Sequence, residues 1–125
     1  MFGALSGDED VDLTGWVEDE GRQKRLRLED PIVVRVDEGD GAQPIKIESL
    51  LIRRLKAGEL DLLASKSAER EPLAAMRGLI RKIIVDPHNT ILDKHLAEMD
   101  AADFLRAVKV VEGFLPLSRK TGGAA

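Results

Sequence analysis

A chain of 125 residues, 43% of them hydrophobic, suits one domain with a modest core and leaves no room for two. Aromatic residues make up 3%, with Trp16, Phe2, Phe104 and Phe114 as the whole inventory, so Leu, Ile and Val must build that core. A formal net charge of −4 on a chain that is 34% charged gives no global attraction to nucleic acid or anionic lipid, and the lack of cysteine excludes disulfide and thiolate chemistry.

Residues 1–29 are rich in Gly, Asp and Glu and carry scattered Val11, Leu13, Trp16 and Val17 without a sustained period, which reads as a loose N-terminal arm. Within it an acidic stretch from Asp8 to Glu20 gives way to the basic Arg22, Lys24, Arg25 and Arg27. The two stretches either pair with each other or stay solvated. From Pro31 the alternation of Ile32, Val34 and Val36 with Val33 and Arg35 predicts a strand. Gly39 and Gly41 lie in an acidic turn, after which Ile45, Lys46, Ile47 and Glu48 resume the alternation, giving a β-hairpin with a long tip. The phase set by Ile45 and Ile47 is lost near Ser49, as a bulge or a strand end would cause.

Leu60, Leu63 and Ala64 suggest a short helix ending at Ser65, Lys66 and Ser67. Leu73, Met76, Leu79, Ile80, Ile83 and Ile84 predict a clearer one, starting either with Pro72 in its first turn or at Ser67 as cap, and ended by Asp86 and Pro87. Asn89 or Thr90 caps a third helix carrying Ile91, Leu92, Leu96 and Met99. The last, over residues 101–115, is capped by Asp100, with Asp103 adding negative charge near its positive end. Phe104, Val108, Val111 and Leu115 form its stripe, and Pro116 stops it before a flexible tail of residues 117–125. The fold class expected is α+β: a hairpin followed by three to four short helices, in one domain spanning residues 30–116.

Few residues invite a chemical reading. Asp86, His88, Asp93 and His95 are of metal-ligand type, but two histidines on one helical face at HExxH spacing are absent, so surface residues are the preferred reading and no metal or other cofactor is expected. No GxSxG elbow is present, and Gly39 and Gly41 lack the Lys-Ser/Thr of a phosphate loop. The basic groups, Arg22 to Arg27 and Arg53, Arg54 with Lys56, lack both a basic excess and stacking aromatics, so nucleic acid is not an expected partner. No segment approaches a membrane span, and no export signal is visible at the N-terminus. The helical stripes are many for so short a chain, and part of their apolar surface could be covered by a partner helix or a second copy.

The order of segments from about Asp30 to Leu115 resembles the tail assembly chaperones of long-tailed bacteriophages, especially the contractile-tailed type. The resemblance rests on Pro31-Ile32-Val33-Val34, the glycine-bearing tip and Leu50-Leu51-Ile52-Arg53-Arg54 leading into Ala57-Gly58-Glu59-Leu60. It continues through Leu79-Ile80-Arg81-Lys82-Ile83-Ile84 and ends in the most specific block, Leu96-Ala97-Glu98-Met99-Asp100-Ala101-Ala102-Asp103-Phe104-Leu105 and Val110-Val111-Glu112-Gly113-Phe114-Leu115. Where the family often has a proline after the basic pair, this chain has Leu55. The resemblance implies no reaction and no small-molecule substrate. It implies a helper in the host cytoplasm that binds the helical tape-measure protein, is displaced by tail-tube subunits and is absent from the mature virion. Arg53, Arg54, Leu60, Leu63, Leu105, Lys109 and Glu112 are the candidate partner-binding residues. The competing expectations are a neck or baseplate subunit of the particle, a small DNA-binding regulator and, furthest, a metal hydrolase.

Overall fold

The computed structural model describes residues 12–35, 44–86 and 90–115. The hairpin tip at residues 37–41, His88, Asn89 and the tail from residue 117 lie outside them. The fold is α+β, a three-stranded antiparallel sheet followed by helices. Strands β1 (Val17–Glu20), β2 (Gln23–Val34) and β3 (Ile45–Ile52) form a meander in that order.

The sheet corrects the reading of residues 1–29 as a loose arm, because from Val17 onward this stretch supplies a whole strand and the first half of another. Glu20 pairs with Gln23 across a two-residue turn, and Gly21 at its first position takes φ of 70°, a conformation that hairpin turns of this length require. Of the two fates open to the acidic and basic stretches, pairing is the one found. Lys24 forms an ion pair with Asp19, and Arg25 binds Glu20 at 2.6 Å, which together with the nearby Glu18 holds the guanidinium pKa above its ordinary value. Leu26 and Leu28 then point into the core with Ile32 and Val34.

Two registers join β2 to β3, one running through Leu26↔Leu50 and Arg27↔Ser49, the other through Ile32↔Ile47 and Val34↔Ile45. Residues 28–31 of β2 therefore bulge opposite Glu48 alone, which explains the lost phase near Ser49: the irregularity sits on the neighbouring strand. A bulge leaves backbone N–H groups without ladder partners. Here Asp103 supplies them. Its side chain, wholly buried, accepts from the N–H of Glu29 at 2.9 Å and of Asp30 at 3.0 Å, and pairs with Arg106 at 3.0 Å. Arg106 also reaches Glu29 at 3.2 Å, and its guanidinium lies 4.1 Å from the ring centre of Trp16, so the last helix, the bulge and the segment before β1 are tied at one point.

After a 3-10 turn (Ala57–Glu59) the helices are α1 (Leu60–Ala64), α2 (Lys66–Arg70), α3 (Pro72–Ile83), α4 (Asp93–Glu98) and α5 (Ala101–Phe114). Pro72 opens α3, and Ser67, the other start considered, is not its cap: it lies inside α2, which Ser65 caps by accepting from Ala68 N–H at 3.1 Å. Met76, Leu79, Ile80 and Ile83 of α3 are completely buried, each contributing about 1.5–3 kcal/mol by leaving water. The helix ends at Ile83, ahead of Asp86, because Ile84 turns extended and bridges Ile52 on the edge of β3. Of the two caps expected for α4, Asn89 lies outside the described residues and Thr90 is not the one used: the ring of His95 takes that place, its Nδ1 accepting from Leu92 N–H at 2.8 Å. Asp100 caps α5 as expected, accepting from Ala102 and Asp103 N–H groups. Val108 and Val111 of α5 face the core, with Phe104 packed against it half-exposed.

Candidate partner-binding surface

The end of β3 delivers Arg53 beside the 3-10 turn, where its guanidinium grips Glu59 through two bonds, of 2.9 and 2.5 Å. Glu59 also accepts the backbone N–H of Lys56 at 2.7 Å, and Arg53 reaches the carbonyls of Arg54 and Lys82. A carboxylate with these donors resists protonation: the bonds from Arg53, more than the opposing effect of burial, hold Glu59 down to about 2 from an ordinary 4.5. Arg53, its own pKa raised by Glu59, is thus a clasp between β3, the turn and the end of α3. Its donors are committed inside the domain. Arg54, next along the chain, is exposed.

Of the two candidate leucines of α1, Leu60 is exposed and Leu63 is buried in the core. Leu63 therefore drops out of the candidate surface, its side chain belonging to the core cluster. Leu73, at the start of α3, is exposed instead and joins Leu60 on a helix packed against α1. Leu105, Lys109 and Glu112 lie at helical spacing on α5 and are all half-exposed. The structure thus separates the candidates into an internal clasp at Arg53, an apolar pair at Leu60 and Leu73, and a mixed stripe on α5. The helix that carries Leu73 packs against both α1 and α5.

Of the residues of metal-ligand type, the three that are described, Asp86, Asp93 and His95, each have another partner. Asp86 accepts from Thr90 and Ile91; burial works against its charge, but these bonds outweigh it and keep its pKa below the ordinary 3.8. Asp93 pairs with Arg77 at 3.2 Å, and His95 spends Nδ1 on its cap. In the basic run, Lys24 and Arg25 are paired and Arg27 lies 5.3 Å from the Trp16 ring centre. A concavity between the β2 bulge and the turn joining α4 to α5, lined by Asp30, His95, Glu98 and Asp100 among others, measures about 160 Å³, small against the roughly 300–1,000 Å³ of ligand pockets. No helix among the described residues is long and apolar enough to cross a membrane.

Sequence reasoning missed Asp103 and Arg106 as the lock on the bulge. The signal was Asp103 followed three residues later by Arg106, but nothing local tells that the carboxylate looks across to β2. What the fold and surface define is a small α+β domain that presents exposed side chains on several helices around a filled core. Comparison of the chain with protein-family profiles, with curated proteins and with solved structures finds no match.

Proposed function

We propose that this chain is a tail assembly chaperone that covers apolar stripes of a long helical tape-measure protein until tail-tube subunits displace it. The observation carrying the proposal is the pair Leu60 and Leu73, 39% and 45% exposed on neighbouring helices although the core beneath them is filled. Large apolar side chains on adjoining helices suit the apolar face of a partner helix. The half-exposed Leu105, Lys109 and Glu112 offer a second face of mixed chemistry. Contacts of this size are individually weak, and weak contacts repeated along a ruler suit a helper that must later leave. The setting is the host cytoplasm, and the protein is missing from finished particles.

The test is co-expression with a phage tape-measure protein from the same source. The chain is expected to co-purify with that protein and to raise its soluble fraction; failure of both ends the proposal. Mass spectrometry of purified particles separates a chaperone from a neck or baseplate subunit, which would be retained there.

A further inference from the structure

The outer edge of β3 is only half covered. At its C-terminal end the segment after α3 pairs with it: Leu51 C=O accepts from Val85 N–H at 2.8 Å, and Arg53 N–H donates to Ile83 C=O at 3.0 Å. Ile45 to Leu50, the rest of that edge, has no strand beside it among the described residues. Because Leu51 and Arg53 direct their backbone groups outward and β3 runs unbroken, the alternate residues Ile45, Ile47 and Ser49 direct theirs outward too. Ile45 is 46% exposed, and Lys46 and Glu48 are exposed without an ion pair among the described residues.

We infer that this edge pairs with the same edge of a second copy of the chain, antiparallel about a two-fold axis through Ile47. In that register Ile47 exchanges both of its N–H···O=C bonds with Ile47 of the second copy, the arrangement its outward backbone groups permit. Lys46 then stands opposite Glu48 of the second copy, and Glu48 opposite its Lys46, at the positions where cross-strand side chains approach most closely. Shifting the axis by one residue either way sets Lys46 against Lys46 or Glu48 against Glu48. Charge therefore selects one register among the three symmetric ones centred here. It also selects the occupant, because a strand whose lysine and glutamate flank its midpoint is complementary to itself. The register fits the open length of the edge, since Ile45 of the second copy reaches Ser49 and stops short of Leu51, where Val85 is already bound. Ile45 lies diagonal to Ile47 of the other copy, which covers the side chain that the single chain leaves in water. The product is a continuous six-stranded sheet, with the helical surfaces left to other partners. Between residues 45 and 50 the edge carries no proline and no bulge of its own, and its charges Lys46 and Glu48, which would repel most strands, are complementary in this register.

Sedimentation equilibrium of the full chain tests the inference through four proteins: the wild type, Lys46→Glu, Glu48→Lys and the combined exchange. The wild type is expected to dimerise, each single reversal to weaken the dimer roughly tenfold or more by making both cross-strand pairs repulsive, and the combined exchange to restore it. Both substitutions are at exposed positions, and circular dichroism spectra checked beside the sedimentation runs keep misfolding apart from dissociation. A wild type that stays monomeric to its solubility limit overturns the inference and leaves the edge to a different strand. A dimer indifferent to the single reversals, or not restored by the exchange, overturns it equally. None of these results bears on capture of the tape-measure protein through the helices.

Discussion

Replacing Asp103 with alanine would strand the N–H groups of Glu29 and Asp30 in the bulge and take from Arg106 one of its two carboxylate partners. The carboxylate that they share is wholly buried, so the loss is expected to cost about 3 kcal/mol or more. Asp100→Ala removes only an exposed helix cap, worth about 1 kcal/mol. Urea unfolding of the two variants side by side checks this, and equal costs would refute the role given to Asp103. A second residue gives a prediction in pH. The folded pKa of Glu59, about 2, lies below its ordinary 4.5, so the folded chain binds this proton more weakly than the unfolded one. Its stabilisation is complete above 4.5 and is lost as pH falls towards 2. Asp86 titrates in the same region, so the wild-type profile alone does not isolate Glu59. The stability gap between wild type and Glu59→Gln does, and it is expected to be widest near neutrality and to close through that window. A gap unchanged down to the acid end would show that the clasp is not ionic.

At the scale of elements, two glycines set opposite expectations. Gly78 lies inside α3 and a Cβ there would meet nothing within 4 Å, so Gly78→Ala is expected to raise stability by about 0.5–1 kcal/mol. Gly21→Ala has equal space but forces a side chain onto φ of 70°, and is expected to lower stability by roughly 1 kcal/mol. Thermal unfolding distinguishes the signs; a destabilised Gly78→Ala would mean that α3 packs differently. The same contrast explains what the sequence made legible. α3 and α5 could be read because their stripes repeat over three turns and more, with Pro72 and Asp100 marking where they start. The first half of β2 could not, although Leu26 and Leu28 alternate with Arg25 and Arg27. Two apolar positions are a short run, and Glu29, Asp30 and Pro31 break it. What makes one strand of both halves is Asp103, some seventy residues away in the chain, and no local pattern carries that information. Short helices fared similarly: Ser65 divides α1 from α2 through a single side-chain bond, and His95 acts as a cap by an acceptor that propensity does not anticipate.

Over the whole molecule, the candidate surface was legible as residue types and not as faces. Charge and spacing nominated Arg53 and Leu63, yet packing turns the first into a clasp and the second into core, while Leu73, read as part of an inward stripe, is left outside. A helix's period fixes which residues share a face but not how much of that face its neighbours cover, and here α1 is too short to shield the first turn of α3. The chaperone proposal therefore makes its sharpest prediction at Leu60 and Leu73. The double substitution Leu60→Asp with Leu73→Asp falls on side chains that are 39% and 45% exposed, so each is expected to cost about 1 kcal/mol or less and the chain to stay folded. It is expected to lose most of its capture of the tape-measure protein in co-purification. Leu63→Asp is the control with the opposite profile, since a carboxylate in the core costs several kcal/mol and the variant fails by unfolding. Leu105→Asp probes the stripe on α5 in the same assay. Should capture survive Leu60→Asp with Leu73→Asp and fall with Leu105→Asp, the docking face belongs to α5. If it survives both in folded protein, neither helical face holds the tape-measure, and the exposed leucines have lost the role proposed for them.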